Sequence, residues 1–214
     1  MVLSMPRTYD SSGRREQARA TRRRVVAAAT DLFVERGYAA TSVAAIADAA
    51  GVAPQTVYAT FGTKAALLGE AVGVAMAGDD EPVAIFDRPD ARAVLAATSP
   101  AEAAAGFAAA STGLLARAGR LLHAADAAAD ADTELDAMRR NGHRMRLADM
   151  QRVAKAFDRA GFLRPGLTAA LAADILWALA SPDAYRAFTL HRGWSAARYE
   201  RWLAESIQQT LFAH

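Results

Sequence analysis

The chain has 214 residues, 53% hydrophobic and 22% charged, and no cysteine. That excludes a fibrous repeat, a fully disordered chain and any disulfide, iron-sulfur or thiolate zinc framework. Its net charge of +2 is uneven: residues 1–64 carry nine basic and five acidic side chains, giving +4, and residues 65–214 carry sixteen and eighteen, giving −2.

A basic front on a slightly acidic body suits a polyanion that meets the front only. The first twenty residues are polar, with Pro6 and Ser11-Ser12-Gly13 and no apolar period, so residues 1–20 read as a flexible basic arm. The opening Met1-Val2-Leu3-Ser4 lacks the basic, then apolar, then small layout of a secretory signal. No window holds the ~18 unbroken apolar residues of a membrane span, and the expected location is cytoplasmic. Beyond residue 20, alanine, leucine and arginine dominate and no alternating β-branched run appears, so the fold class is all-α.

Helices are expected near 21–36, 43–49, 54–60 and 64–77, then an acidic loop from Gly78 to about Asp90 with Pro82 and Pro89. Longer helices follow near 100–128, 132–160 and 168–180, then 182–191 and 196–212. Ser99-Pro100-Ala101-Glu102 supplies a cap, a first-turn proline and the glutamate of a capping box. Ser181-Pro182 repeats the start, and Ser195 caps the last helix.

Thr41 to Lys64 is the informative stretch, TSVAAIADAAGVAPQTVYATFGTK. Val43, Ile46 and Ala47 share one face of a two-turn helix, Gly51 permits a sharp turn, and Val57 and Phe61 share a face of the next helix. Ala47 is small enough for a close helix crossing. This is the spacing of a helix-turn-helix, whose second helix enters the major groove with its N-terminal residues at base edges.

Pro54 opens that helix, placing Gln55 and Thr56 at its leading end with Tyr58 and Thr60 further along. Gln55 is the best base reader, because a carboxamide pairs bidentately with adenine. Thr41 and Ser42 at the start of the first short helix, Lys64 at the start of the helix after the motif, and Arg22 upstream are assigned to DNA, the phosphates in particular.

The block from Arg22, RRRVVAAATDLFVERGYAATSVAAIADAAGVAPQTVYATFGTKAALL, resembles the signature of TetR-family repressors. The resemblance implies a homodimer of all-helical subunits, each with an N-terminal DNA-binding domain over 21–66 and a C-terminal ligand-binding and dimerisation domain over 67–214. Ala53 departs from the serine or threonine that often caps the recognition helix, and Ala59-Thr60 departs from a pair that often holds histidine and tyrosine. The segment from Ser181 also resembles C-terminal segments that form a four-helix dimer interface. The aromatic and aliphatic stripes Tyr185 and Phe188, and Tyr199, Trp202, Leu203, Ile207 and Leu211, fit such an interface, and a monomer core would look the same.

Phe107, Leu115, Leu122, His123, Met138, Met145 and Trp177 are candidates to line an effector pocket between the C-terminal helices, for a hydrophobic or aromatic small molecule. No catalytic constellation survives inspection. Gly193-Trp194-Ser195-Ala196-Ala197 lacks the final glycine and the leading strand of a nucleophile elbow. The Asp130, Asp132, Glu134 and Asp136 run has Leu135 where a calcium loop turns on glycine. The four histidines have no i, i+4 histidine partner, so neither a metal site nor a cofactor is expected. The leading function is a ligand-released repressor on a palindromic operator. The alternatives are an activator of the same family, a non-specific architectural DNA binder and an enzyme with a regulatory domain.

Overall fold

In a computed structural model of the chain, the described residues are 11–213, and they form ten α-helices without a strand. Helix α1 spans Ser11–Arg36, so residues 11–20 are helical and do not belong to an arm. The remainder of the expected arm lies outside the described residues. Arg14 to Ala20 are mostly strong helix formers, and extending a helix whose later turns are already packed needs no new nucleus. A segment polar on every side has no apolar period, which is why the pattern did not reveal it.

The inner face of α1, Val25, Val26, Ala29, Leu32 and Phe33, is buried. It packs on α2 (Val43–Ala50), which packs in turn on α3 (Pro54–Phe61). Each large apolar side chain so buried is worth roughly 1.5–3 kcal/mol. Helix α4 (Lys64–Ala77) follows, burying Leu67, Leu68 and Ala71. The chain divides into two compact units, one reaching to Ala71 and one from Val72 onward, so α4 starts in the first and ends in the second.

In the second unit, the segment expected as a loop holds a 3₁₀ turn at Ile85–Asp87 and then α5 (Pro89–Leu95). Pro89 opens a helix at its first position rather than breaking one. Arg88 forks onto Asp79 at 2.7 and 2.8 Å, which ties the preceding turn to this start. The long helices are α6 (Pro100–Ala129) and α7 (Thr133–Arg159), then α8 (Ala169–Leu179). The helix expected near 182–191 is α9 (Pro182–Arg186) continued by a π-helical turn, Ala187–His191. Helix α10 (Ala196–Leu211) ends the chain.

The caps follow the sequence chemistry. The Ser99, Ser181 and Ser195 hydroxyls accept from Glu102, Ala184 and Arg198 N–H. The Glu102 carboxylate accepts from the Thr98 N–H and hydroxyl, one residue before the position that a capping box uses.

The core of this unit is built where α6 packs on α7 and α10, and α7 on α8. It joins Phe107, Leu115, Val153, Phe157 and Leu176 to Tyr199, Leu203, Ile207, Leu211 and Phe212. The chain end is fastened to the α7–α8 connection: Arg164 N–H donates to Leu211 O at 2.8 Å, and the Phe212 ring lies 5.3 Å from Phe157. Among the described residues no helix is long and apolar enough to cross a membrane.

Candidate nucleic-acid interface

The turn between α2 and α3 is set by Gly51. With φ 66 and ψ 42, it takes the left-handed conformation that glycine adopts without strain, and its N–H donates to Asp48 O while Val52 N–H reaches Ala47 O at 2.9 Å. These two bonds close a Schellman motif. Ala47, fully buried, fills the crossing beneath it. The Ser42 hydroxyl caps α2 by accepting from Ala45 N–H at 3.1 Å. Ser42 therefore holds the reading frame of α2 through its side chain.

Helix α3 begins with Pro54 after Ala53, which offers no side-chain cap. Val57 alone of its residues is buried, and that anchors the helix by one face. Pro54, Gln55, Thr56, Tyr58 and Thr60 are all exposed. Tyr58 is 54% exposed, a large amphipathic ring left in water. The Thr60 hydroxyl donates to Thr56 O at 2.7 Å, so its proton is already committed, whereas Gln55 and Thr56 stand at the open end of the helix.

Three residues assigned to phosphates do other work. Thr41 is 1% exposed, and its single hydroxyl proton is shared between Leu32 O and Gly37 O at 3.1 and 2.8 Å; it closes the α1–α2 connection from inside. Lys64 Nζ donates to Tyr38 O and Thr41 O at 3.0 and 3.1 Å and sits 4.0 Å from the centre of the Tyr38 ring. It clamps the start of α4 to the α1–α2 connection. Arg22 pairs with Glu70 at 2.8 Å and lies 4.9 Å over the Phe61 ring, so α1, α3 and α4 share it. Local sequence pattern places these residues at helix starts, where phosphate contacts are common; the inward partners of Lys64 and Arg22 are remote in sequence and could not be read from it.

Alongside α3 the first turns of α1 form an open groove of about 570 Å³, lined by Arg14, Gln17, Ala18, Arg19, Thr21, Arg22, Thr56 and Thr60. Arg14, Ala18 and Thr21 recur at helical spacing, so one face of the extended α1 runs beside the recognition helix. Arg14 and Arg19 here carry the forked donors that suit phosphate oxygens, whereas Arg22 is held by Glu70. The sequence indicated the basic cluster but not the helix that aims it.

The effector and dimer assignments scatter. Phe107 and Leu115 are buried in the core, Leu122, Met138 and Trp177 are half-buried, and His123 is exposed. Met145 is 60% exposed and faces water rather than an apolar pocket. Tyr199, Leu203, Ile207 and Leu211 are wholly buried within the chain itself, so they are core and offer nothing to a partner. Tyr185, Phe188 and Trp202 stay half-buried, with Phe188 4.4 Å from Trp194 and 4.5 Å from Trp202. Among the described residues no three histidine or acidic side chains gather as a metal site would require.

Residues 25–71 match the family described as bacterial regulatory proteins, tetR family. No curated protein matches the chain by sequence. Among solved structures, NalD, the secondary repressor of the MexAB-OprM multidrug efflux pump in Pseudomonas aeruginosa, is similar in fold at 23% identity and TM-score 0.66, over 91% of this chain and 98% of that one. A SmeT–triclosan complex matches at 21% and 0.63, over 91% and 92%. FadR from Bacillus subtilis, in complex with stearoyl-CoA, matches at 18% and 0.66, over 86% and 96%. The helix-turn-helix unit is thus that of the tetR family of bacterial regulatory proteins, which are DNA-binding transcription regulators.

Proposed function

We propose that this chain is a sequence-specific repressor that binds a palindromic operator as a homodimer and is released from it by a small-molecule effector. The carrying observation is the leading end of α3: Gln55 and Thr56 are exposed on a helix pinned by Pro54, Val57 and the Gly51 turn. The Gln55 carboxamide so presented reads adenine and the Thr56 methyl meets the thymine methyl, while the α1 arginine groove takes phosphates on either side. The DNA-binding domain on this reading ends near residue 66, and the rest binds effector and partner.

Helix α4 carries the message. At its start Lys64 ties it to the Tyr38 and Thr41 carbonyls; at its end Arg117 of α6 donates to Ala75 O and Met76 O at 3.2 and 3.1 Å. An effector that favours one placement of α6 draws on the end of α4, and whatever moves α4 moves the turn that positions α2 and α3. Such an effector must bind the two states unequally, since equal binding shifts nothing. The repressor role of NalD and the small molecules held by SmeT and FadR favour this reading. For the partner contact, the half-buried Phe188 and Trp202 and the exposed Leu190 are the available apolar surface near the chain end.

Footprinting on a site selected from random duplexes tests it, with stoichiometry by light scattering. The expected result is a symmetric footprint, two protomers per site and half-sites about 34–36 Å apart or a multiple of that. A single protomer on an asymmetric footprint would refute it.

A further inference from the structure

Arg146 stands on the face of α7 that carries Leu135, Val153 and Phe157, eleven residues after the first and seven and eleven before the others. Those three are buried, so helical periodicity turns a guanidinium toward the interior. It lies 4.4 Å from the centre of the Trp177 ring on α8, and its Nη2 donates to the Trp177 backbone carbonyl. A guanidinium has five N–H donors in a planar fork. The others meet no acceptor among the described residues, and none of them is sealed off within the protein. No carboxylate forms an ion pair with it among those residues.

The surrounding charges do not neutralise it by contact. Asp183 on α9 and the Tyr199 hydroxyl act on it from a distance, and burial pulls its pKa down. Asp126 on α6, itself pushed up by burial, faces His143, Asp183, Arg139 and His123. Arg139 is taken by Asp130 and Asp136 at 2.8 and 2.6 Å. Beside Arg146 the wall is aromatic: Trp177, with the His143 ring at its edge. A partly desolvated cation without a counterion is costly, and an accessible fork against an aromatic wall is what a planar anion with an apolar body would complete.

We propose that Arg146 anchors an effector site at the α7–α8 contact, taking the carboxylate of a small molecule whose apolar body lies against Trp177. This rests on the effector-released repressor of the preceding section and specifies its ligand as a monocarboxylate.

Calorimetric titration of the full chain with decanoate and 4-phenylbutyrate, beside the matching primary amides and decyltrimethylammonium, tests it. At least one acid should bind saturably and ~10-fold or more tighter than its amide. Arg146→Met, checked for folding by circular dichroism and for operator binding, should lose that advantage while amide binding stays put, and Arg146→Lys should fall between. Equal binding of acid and amide overturns the proposal. So does full acid binding by a folded Arg146→Met, tighter binding of the ammonium, or no saturation by either acid. Operator binding measured in the same samples separates the two ideas. Specific DNA binding with no acid binding removes the site and leaves the regulator; acid binding that does not lower operator affinity keeps the site and removes its regulatory role.

Discussion

Replacing Lys64 by methionine keeps the aliphatic stem and removes only the charge and its donors. The native ammonium makes two hydrogen bonds to backbone carbonyls and one cation–π contact with Tyr38. Charged hydrogen bonds are worth about 1.5–3 kcal/mol each and the ring contact about 0.5–1 where partly exposed. The three share one ammonium on a half-exposed side chain, and an ammonium freed from them would be hydrated, so the net loss is about 2 kcal/mol rather than the sum. For a chain of this length that lowers the melting midpoint by roughly 4–8 °C. The assay pairs thermal unfolding with operator titration across salt. The variant should be destabilised and bind DNA more weakly, with its salt slope unchanged. A phosphate contact behaves in the opposite way: stability holds and the slope drops by about 0.9. That second pattern would refute the clamp.

Gln55→Ala should cost about 1–3 kcal/mol on the preferred operator and relax the choice of base at one position, with little change on scrambled DNA; a uniform loss would contradict base reading. Tyr199→Phe should destabilise the chain by about 1–3 kcal/mol, because the Tyr199 hydroxyl, on a side chain fully buried in the core, donates to Leu179 O at 2.8 Å and the carbonyl would be left without it. Intact stability in chemical denaturation would show that the bond carries nothing. Asp79, drawn down to about 2 chiefly by hydrogen bonds from Arg88 and the Glu81 N–H, adds stability above its ordinary 3.8 that is lost as pH falls toward 2. Asp79→Asn should therefore be less stable at neutral pH and converge with the parent in acid; parallel pH profiles would reject this.

The recognition unit was legible because its chemistry is local. Gly51, Ala47, Pro54 and Val57 specify a turn and two short helices within nineteen residues, and the serine caps mark helix starts without reference to anything distant. What stayed hidden depends on partners far along the chain. Lys64 meets carbonyls of Tyr38 and Thr41, and Arg22 meets Glu70, so type and spacing alone placed both on phosphates. Tyr199, Leu203, Ile207 and Leu211 form a stripe that suits a core or an interface equally, and only burial against α6 and α8 decides for the core. Helix α5 is hidden in the sequence because Pro89 signals a chain break as readily as the helix start that it forms. Arg146 carries its own signal in the sequence: a charge placed on the apolar stripe of α7 conflicts with its surroundings, and such conflicts mark function.

The most direct test of the account is the fluorescence anisotropy of duplexes from the chain's own upstream region and of scrambled controls, measured at two salt concentrations. A sequence-specific regulator predicts at least ~10³-fold tighter binding to one native duplex at the higher salt, with both affinities falling as salt rises. Equal binding to native, scrambled and random-pool duplexes, governed by salt alone, would contradict it and leave a non-specific DNA binder.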